Sequence, residues 1–209
     1  MGAPNCRPPT IRRPPHRLLT GHLGAPCGRA VGSLIVPTIS PLSGSDLLAE
    51  ADTLARLLVD VVADGASVGF LAPLPHTEAR SWWLARADAV TAGAALVWVA
   101  RTPDGRAVGT ITLTPGGMPN GRHRADVAKL MVHPDARGRG VARDLLRAAE
   151  DAAREAGITL LVLDTETGSP AERLYRAAGW TEAGTVPDYA ADPAGVLRPT
   201  TYYYKRTAS

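Results

Sequence analysis

Cysteine is nearly absent from this 209-residue chain: Cys6 and Cys27 are the only two, and both lie outside the stretch that reads as a folded core. Two cysteines supply neither a disulfide framework nor a Cys-based metal site, which points to a reducing, cytoplasmic setting and to no bound metal. No apolar run approaches the ~18 residues that a membrane-crossing helix needs, so no membrane role is expected. The Arg12-Arg13 pair is followed by Pro14, Pro15 and His16 rather than by a sustained apolar segment, which argues against a twin-arginine export signal. Lysine is scarce as well, with two Lys against 21 Arg, a bias that together with the abundant Ala and Gly reads as genomic base composition. Acidic residues are missing from the first 40 positions, which hold Arg7, Arg12, Arg13, Arg17 and Arg29. That leaves 18 basic and 20 acidic residues in 41–209, so the net charge of +3 belongs to the N-terminal stretch and the body is near neutral. A nucleic-acid footprint requires Lys and Arg gathered on a folded face, so nucleic acid is not an expected partner.

What is present divides the chain in two. Residues 1–40 carry seven Pro and no apolar periodicity. Such a composition cannot bury enough surface to offset ordering entropy, so a flexible tail is expected ahead of one domain at 41–209. Within the domain, Ser45 as N-cap and the series Leu47, Leu48, Ala51, Leu54, Leu58, Val61 and Val62 predict a helix ended by Gly65. A second helix is predicted over 77–91, with Trp82, Trp83 and Leu84 turned to the core. Runs at 96–101 and 107–114 are β-rich and joined by Thr102-Pro103-Asp104-Gly105-Arg106, which is hairpin chemistry. Further strands are predicted at 125–132, at 180–186, at 200–205 and at 158–163, where a wholly apolar run marks a central strand. Helices are predicted over 140–157 and 170–178. The run 33–39 reads as an edge strand, since Pro37 bars a central place.

The most informative stretch is KLMVHPDARGRGVARDLL, residues 129–146. An apolar strand and a Pro turn lead into an Arg/Gly loop and an amphipathic helix. Small residues at Gly138, Gly140 and Ala142 let backbone N–H groups approach an anion, and the helix behind them presents about half a positive elementary charge. That arrangement suits a diphosphate. A Walker loop would need Lys and Ser or Thr where Val141 and Ala142 stand. The dinucleotide fingerprint would need a small residue where Arg143 stands.

The loop resembles the acetyl-CoA loop of the GNAT superfamily of N-acetyltransferases, in which Arg or Gln, two residues, Gly, one residue, and Gly or Ala follow a strand. Arg137, Gly140 and Ala142 fit that pattern, with Gly138, Arg139 and Val141 completing the loop. A second signature, LDTETGSPAERLYRAAGW at 163–180, is similar to the family's later segment through Leu174, Tyr175, Gly179 and Trp180. Gly168 stands where many members have an Asn that touches pantetheine, and the adjacent Ser169 is the candidate to replace it. Stretches at 65–73, 120–140, 163–175 and 187–189, with Pro199, Thr200 and Tyr203, are similar to the branch that acetylates the β-lactam amino-acid toxin tabtoxinine-β-lactam. The resemblance implies an α/β (α+β) GNAT fold: a mixed, mostly antiparallel sheet of about six to seven strands, covered by about four helices and splayed at the acetyl-CoA site. It also implies acetyl-CoA as cosubstrate, a small-molecule amine as acceptor and a role in antibiotic or toxin resistance.

Candidate roles follow. Asp164 ends the apolar strand, where open α/β sheets place ligands, and the resemblance implies that it is a general base. Tyr175 corresponds to the family Tyr that protonates the departing thiolate. Leu130, Met131 and Val132 form the strand that the resemblance pairs with pantetheine, and amides near Met131 and Val132 are the natural oxyanion donors. Asp126, two before Ala128 on the same strand, is a candidate for holding the acceptor ammonium. Tyr203 alternates faces with its Tyr neighbours and is a pocket candidate, as are Trp98, Asp188 and Tyr189. His133, between strand and Pro134, reads as a turn residue. The competing functions are acetylation of a protein N-terminus or Lys, and a CoA-binding module without turnover.

Overall fold

In the computed structural model the described residues are 37–207. Cys6, Cys27, the five N-terminal Arg and residues 1–36 of the expected tail lie outside them. Seven strands form one sheet: β1 Thr38–Leu42, β2 Leu96–Arg101, β3 Ala107–Pro115, β4 Arg124–Val132, β5 Leu160–Glu166, β6 Thr181–Ala191 and β7 Leu197–Arg206, in the spatial order β1-β2-β3-β4-β5-β7-β6. Every pair is antiparallel except β4 with β5. Helices α1 Gly44–Ala63, α2 His76–Leu84 and α3 Ala87–Thr91 precede β2, α4 Val141–Glu155 links β4 to β5, and α5 Pro170–Ala177 follows β5. The mixed, mostly antiparallel sheet with helices on its faces is the architecture expected.

Strand alternation sorts the core into two layers. On one face Val97 and Val99 of β2 pack with Leu47, Leu54, Leu58 and Val61 of α1 and with Trp83 of α2. On the other, Ile111, Leu113, Ala125, Val127, Leu161 and Leu163 pack under Leu145, Leu146 and Ala149 of α4 and Tyr175 of α5. Each fully buried Leu contributes about 1.5–3 kcal/mol. Glu150 of α4 ties the second layer together, accepting from Trp180 Nε1 at 2.9 Å and from Lys205 Nζ at 2.7 Å.

Several boundaries differ from the sequence reading, each for a local reason. The N-cap of α1 is Ser43, not Ser45. Asp46 sits three residues after Ser43, so each bonds the other's backbone N–H, at 3.0 and 2.8 Å, in a capping box that Ser45 has no acid to complete. The helix predicted over 77–91 breaks into α2 and α3 at Ala85 and Arg86, where the Arg86 guanidinium turns back to donate to the Trp82 carbonyl at 2.8 Å. The strand predicted at 158–163 runs two residues later. Ile158 still closes α4, its N–H donating to Ala153 O at 2.9 Å. β1 takes in Thr38–Leu42, so the sheet includes residues 38–40 from the stretch read as tail. The last two strands form one long hairpin whose turn is built by Asp192, which accepts from the N–H groups of Ala194 and Val196, both at 3.0 Å.

Two irregularities position the site. β4 and β5 pair through only three residues, Arg124, Ala125 and Asp126 against Leu160, Leu161 and Val162, and then part, leaving the β5-facing edge of β4 without a strand partner. β4 also carries a bulge against β3: the register jumps between Thr110 and Thr112, and Lys129 adopts φ +52°. Inward-facing residues are Ala125 and Val127 before the bulge but Leu130 and Val132 after it. The bulge therefore re-aims the second half of the strand.

Candidate active site

The Arg137-to-Ala142 loop leaves the open end of β4 and enters α4 directly. Gly138 and Gly140 adopt φ +73° and +82°, and Gly140 is the N-cap of α4, with no side chain capping the helix. Among the described residues the first turn's N–H groups therefore have no side-chain acceptor, the condition for an anion cradle. Arg137 pins the loop rather than reaching forward, donating from Nε to Val132 O at 3.2 Å and from Nη1 to the Asp64 carboxylate. Gly109 of β3 lets the loop sit close. A Cβ there would stand 2.9 Å from Met131 O and 3.0 Å from Leu145 Cδ1. A left-handed φ costs a branched residue about 1–2 kcal/mol. Gly140→Val is therefore expected to weaken coenzyme A binding about tenfold or more by calorimetry, with the far-UV spectrum unchanged.

Tyr175 of α5 is 6% exposed and stacks near Trp180 and Tyr203, with ring centres 5.8 and 6.3 Å away. Its hydroxyl has no hydrogen-bond partner among the described residues. Burial, with the Asp164 charge adding to it, pushes the phenol well above its ordinary value. Asp164 lies on the opposite face of β5 from the buried Leu161 and Leu163. It keeps a solvent-accessible side, but the surrounding protein desolvates the rest and raises its carboxyl above the ordinary value. Lys129 offsets part of that rise and Asp126 adds to it. Asp126, Asp164 and Glu166 thus share the α1–α3 face of the sheet.

The other sequence candidates are distributed unevenly. Tyr203 is 1% exposed, its hydroxyl donating to Glu172 at 2.9 Å and accepting from Arg176 at 2.7 Å, so it belongs to the core beneath α5 rather than to an open pocket. Trp98 likewise packs on the α4 side of the sheet, away from Asp164. Ser169 is the N-cap of α5, accepting from Glu172 N–H at 3.3 Å, so its hydroxyl is already engaged. Asp188 is exposed with φ +49°. His133 is a turn residue, its ring accepting from the Asp135 N–H at 3.2 Å. Tyr189 does reach the site's side, because Tyr202 donates to its hydroxyl at 2.7 Å and Tyr202 pairs directly with Asp164 in the β5–β7 ladder. Held by Tyr189, the Tyr202 phenol is pushed up to about 12.

Sequence reasoning missed Tyr202. The alternation rule would have found it, since a residue opposite Asp164 across two antiparallel strands must share its face. Beyond Glu166 lies a recess of about 460 Å³, lined by Val62 and Ala63 of α1, Ala72, Glu166, Arg198 and the Asp192 turn. The Ala72 N–H donates to Pro193 O at 2.8 Å and bridges it. Among the described residues no group of three His, Cys, Asp or Glu side chains is placed to hold a metal, and no helix is long and apolar enough to cross a membrane.

The model of the acetyltransferase (GNAT) family matches residues 54–180. An IAA acetyltransferase of Azospirillum brasilense is 38% identical over 73 residues, covering 34% of this chain and 48% of that protein, so the match spans about half of that relative's length. Among solved structures, yncA of Salmonella typhimurium, with its cofactor acetyl-CoA, superposes with a TM-score of 0.66 at 20% identity, over 83% of this chain and 95% of the other. A ribosomal-protein-alanine N-acetyltransferase of Brucella melitensis gives a TM-score of 0.63 at 24% identity, over 81% and 99%. At these identities the structural likeness is one of fold.

Proposed function

This chain belongs to the acetyltransferase (GNAT) family, and we propose that it transfers the acetyl group of acetyl-CoA to the amine of a small molecule. The observation that carries the reading is the fork between β4 and β5, with the free N-terminus of α4 at one end and Asp164 and Tyr175 near its root. Acetyl-CoA supplies an activated acyl group as a thioester. The amides of 138–142 would hold its diphosphate, and the open edge of Leu130, Met131 and Val132 would take the pantetheine arm as a missing strand.

Asp164 takes a proton from the acceptor ammonium, and its raised pKa brings it closer to the range where a carboxylate is an effective base. The negative charge of Asp126 draws the ammonium toward it. The Val132 amide, on the edge of β4 away from β3, would face the carbonyl oxygen, while the neighbouring Met131 amide points to β3, and Tyr175 would give its proton to the departing sulfur. Beside the bridge from Ala72 to Pro193, beyond Glu166, lies a recess of about 460 Å³, a volume within the range of small-ligand sites. In this reading the catalytic domain takes in β1 and so begins no later than Thr38, and the enzyme works in the cytoplasm. The finer assignment is resistance by acetylation of an amino-acid toxin or antibiotic of the tabtoxinine-β-lactam type, supported by the stretches quoted from the sequence.

The test is incubation with acetyl-CoA and an amine panel that includes tabtoxinine-β-lactam, aminoglycosides and N-terminal peptides, read by thiol release and by a 42 Da mass gain. Acetylated small amines with unmodified peptides are expected. Acetylation confined to peptides would replace the acceptor class, and coenzyme A binding with no thiol release would reduce the chain to a binding module.

A further inference from the structure

Lys129, the residue at the β4 bulge, moderates the Asp164 carboxyl electrostatically but has been given no contact with a ligand above. Its ammonium is half-buried and sits 5.4 Å from the Trp82 ring centre and 3.5 Å from where a Cβ on Gly69 would stand. It makes no hydrogen bond or ion pair among the described residues. Arg86 comes to the same indole, its guanidinium carbon 3.2 Å from the Trp82 ring centre, and uses one donor on the Trp82 carbonyl. Two cations thus share one aromatic wall with no carboxylate bonded to either. Each is felt electrostatically: Arg86 and burial disfavour charge on Lys129, and Asp164 favours it.

Holding like charges together in a partly desolvated place costs free energy unless an anion joins them. The break between α2 and α3 places Arg86 there, and the left-handed φ of Lys129 turns that side chain to the α2 side of the sheet. The Thr112 hydroxyl, on β3 beside Ala128, is one of two buried side-chain polar atoms without a partner among the described residues. It adds a third donor on the same face.

We infer that Lys129 and Arg86 form an anion subsite facing Asp164, so that the acceptor is an amine carrying an acidic group within a few bonds of its nitrogen. The inference rests on the acetyl-transfer reading. The ammonium goes to the carboxylate side and the acid to the two cations, which fixes the acceptor in one orientation and selects zwitterions over simple amines. Lys129 and Arg86 are specificity residues here, not proton carriers.

The test uses the full chain with acetyl-CoA and a panel of α- and β-amino acids, each paired with its amide and with the amine lacking the carboxylate. A charged hydrogen bond of this kind predicts kcat/KM about 10- to 100-fold higher for the acid than for its amide. Lys129→Met is expected to remove that preference by slowing the acids much more than the amides. Arg86→Gln should do so in part, and Lys129→Arg should retain most of it. Equal use of acid and amide by the wild-type protein overturns the inference, as does a Lys129→Met variant that slows both alike.

Binding gives an independent reading, because Trp82 reports on the subsite. In the presence of coenzyme A, tryptophan fluorescence titrated with the N-acetylated panel should favour acids over amides, and Lys129→Met should abolish the difference. No acid preference in that titration also overturns the subsite. Acid-selective binding with no thiol release from any amine would instead remove the acetyl-transfer reading and leave the subsite standing.

Discussion

Tyr175→Phe is expected to leave coenzyme A affinity within about twofold of the wild type and to lower kcat by about 10²- to 10⁴-fold, the range for loss of a positioned general acid. The substitution removes one oxygen from a ring that stays packed between Trp180 and Tyr203. Since that hydroxyl has no partner among the described residues, its loss leaves no protein group unsatisfied, and thermal stability should hold. The burial that raises its pKa keeps the phenol protonated across the working range, so Tyr175 contributes no alkaline limb to the rate profile. Stopped-flow thiol release, with calorimetry for affinity, checks both halves. An unchanged kcat would remove Tyr175 from the chemistry and make it a core residue.

The second large effect falls on Asp164. Asp164→Asn should lower kcat/KM by about 10²- to 10³-fold at neutral pH and flatten the acidic limb of the profile. In the wild type that limb should lie above the ordinary carboxylate range, because burial raises the Asp164 pKa and Asp126 adds to the rise. The sign for stability is opposite to that for activity. A carboxyl whose folded-state pKa is raised contributes stability below its unfolded value and loses that contribution as pH rises through the folded value. Asp164→Asn should therefore melt slightly higher than the wild type at neutral pH, with the difference vanishing in acid. A variant that is both slower and less stable at neutral pH would mark Asp164 as structural.

Much of this was legible from local chemistry. The loop at 137–142 needs small residues, an anion-ready helix start and an apolar strand ahead of it, all of which are contiguous in sequence. The hairpin at 102–106 and the α1 stripe follow from turn preference and period. What escaped depends on distant pairing. The fork arises because β4 and β5 stop pairing after Asp126, which no local pattern encodes. The bulge at Lys129 looks in sequence like one more strand position, and only the changed facing of Leu130 and Val132 reveals it. Tyr203 was preferred to Tyr202 because a three-Tyr run gives alternation without phase. The phase came from the register that sets Tyr202 against Asp164 and Tyr203 against Leu163. Trp98 is a candidate from strand-edge placement alone, which does not say that its side chain packs on the α4 face of the sheet.

The three-rung ladder between β4 and β5 also governs how the protein holds together. It is the narrow waist of the sheet, joining a four-stranded half to a three-stranded one. A ligand threaded through the fork would supply cross-links that the polypeptide omits. Cohesion between the halves would then grow with the logarithm of ligand concentration, so that the folded chain would be held together partly by the molecule it binds.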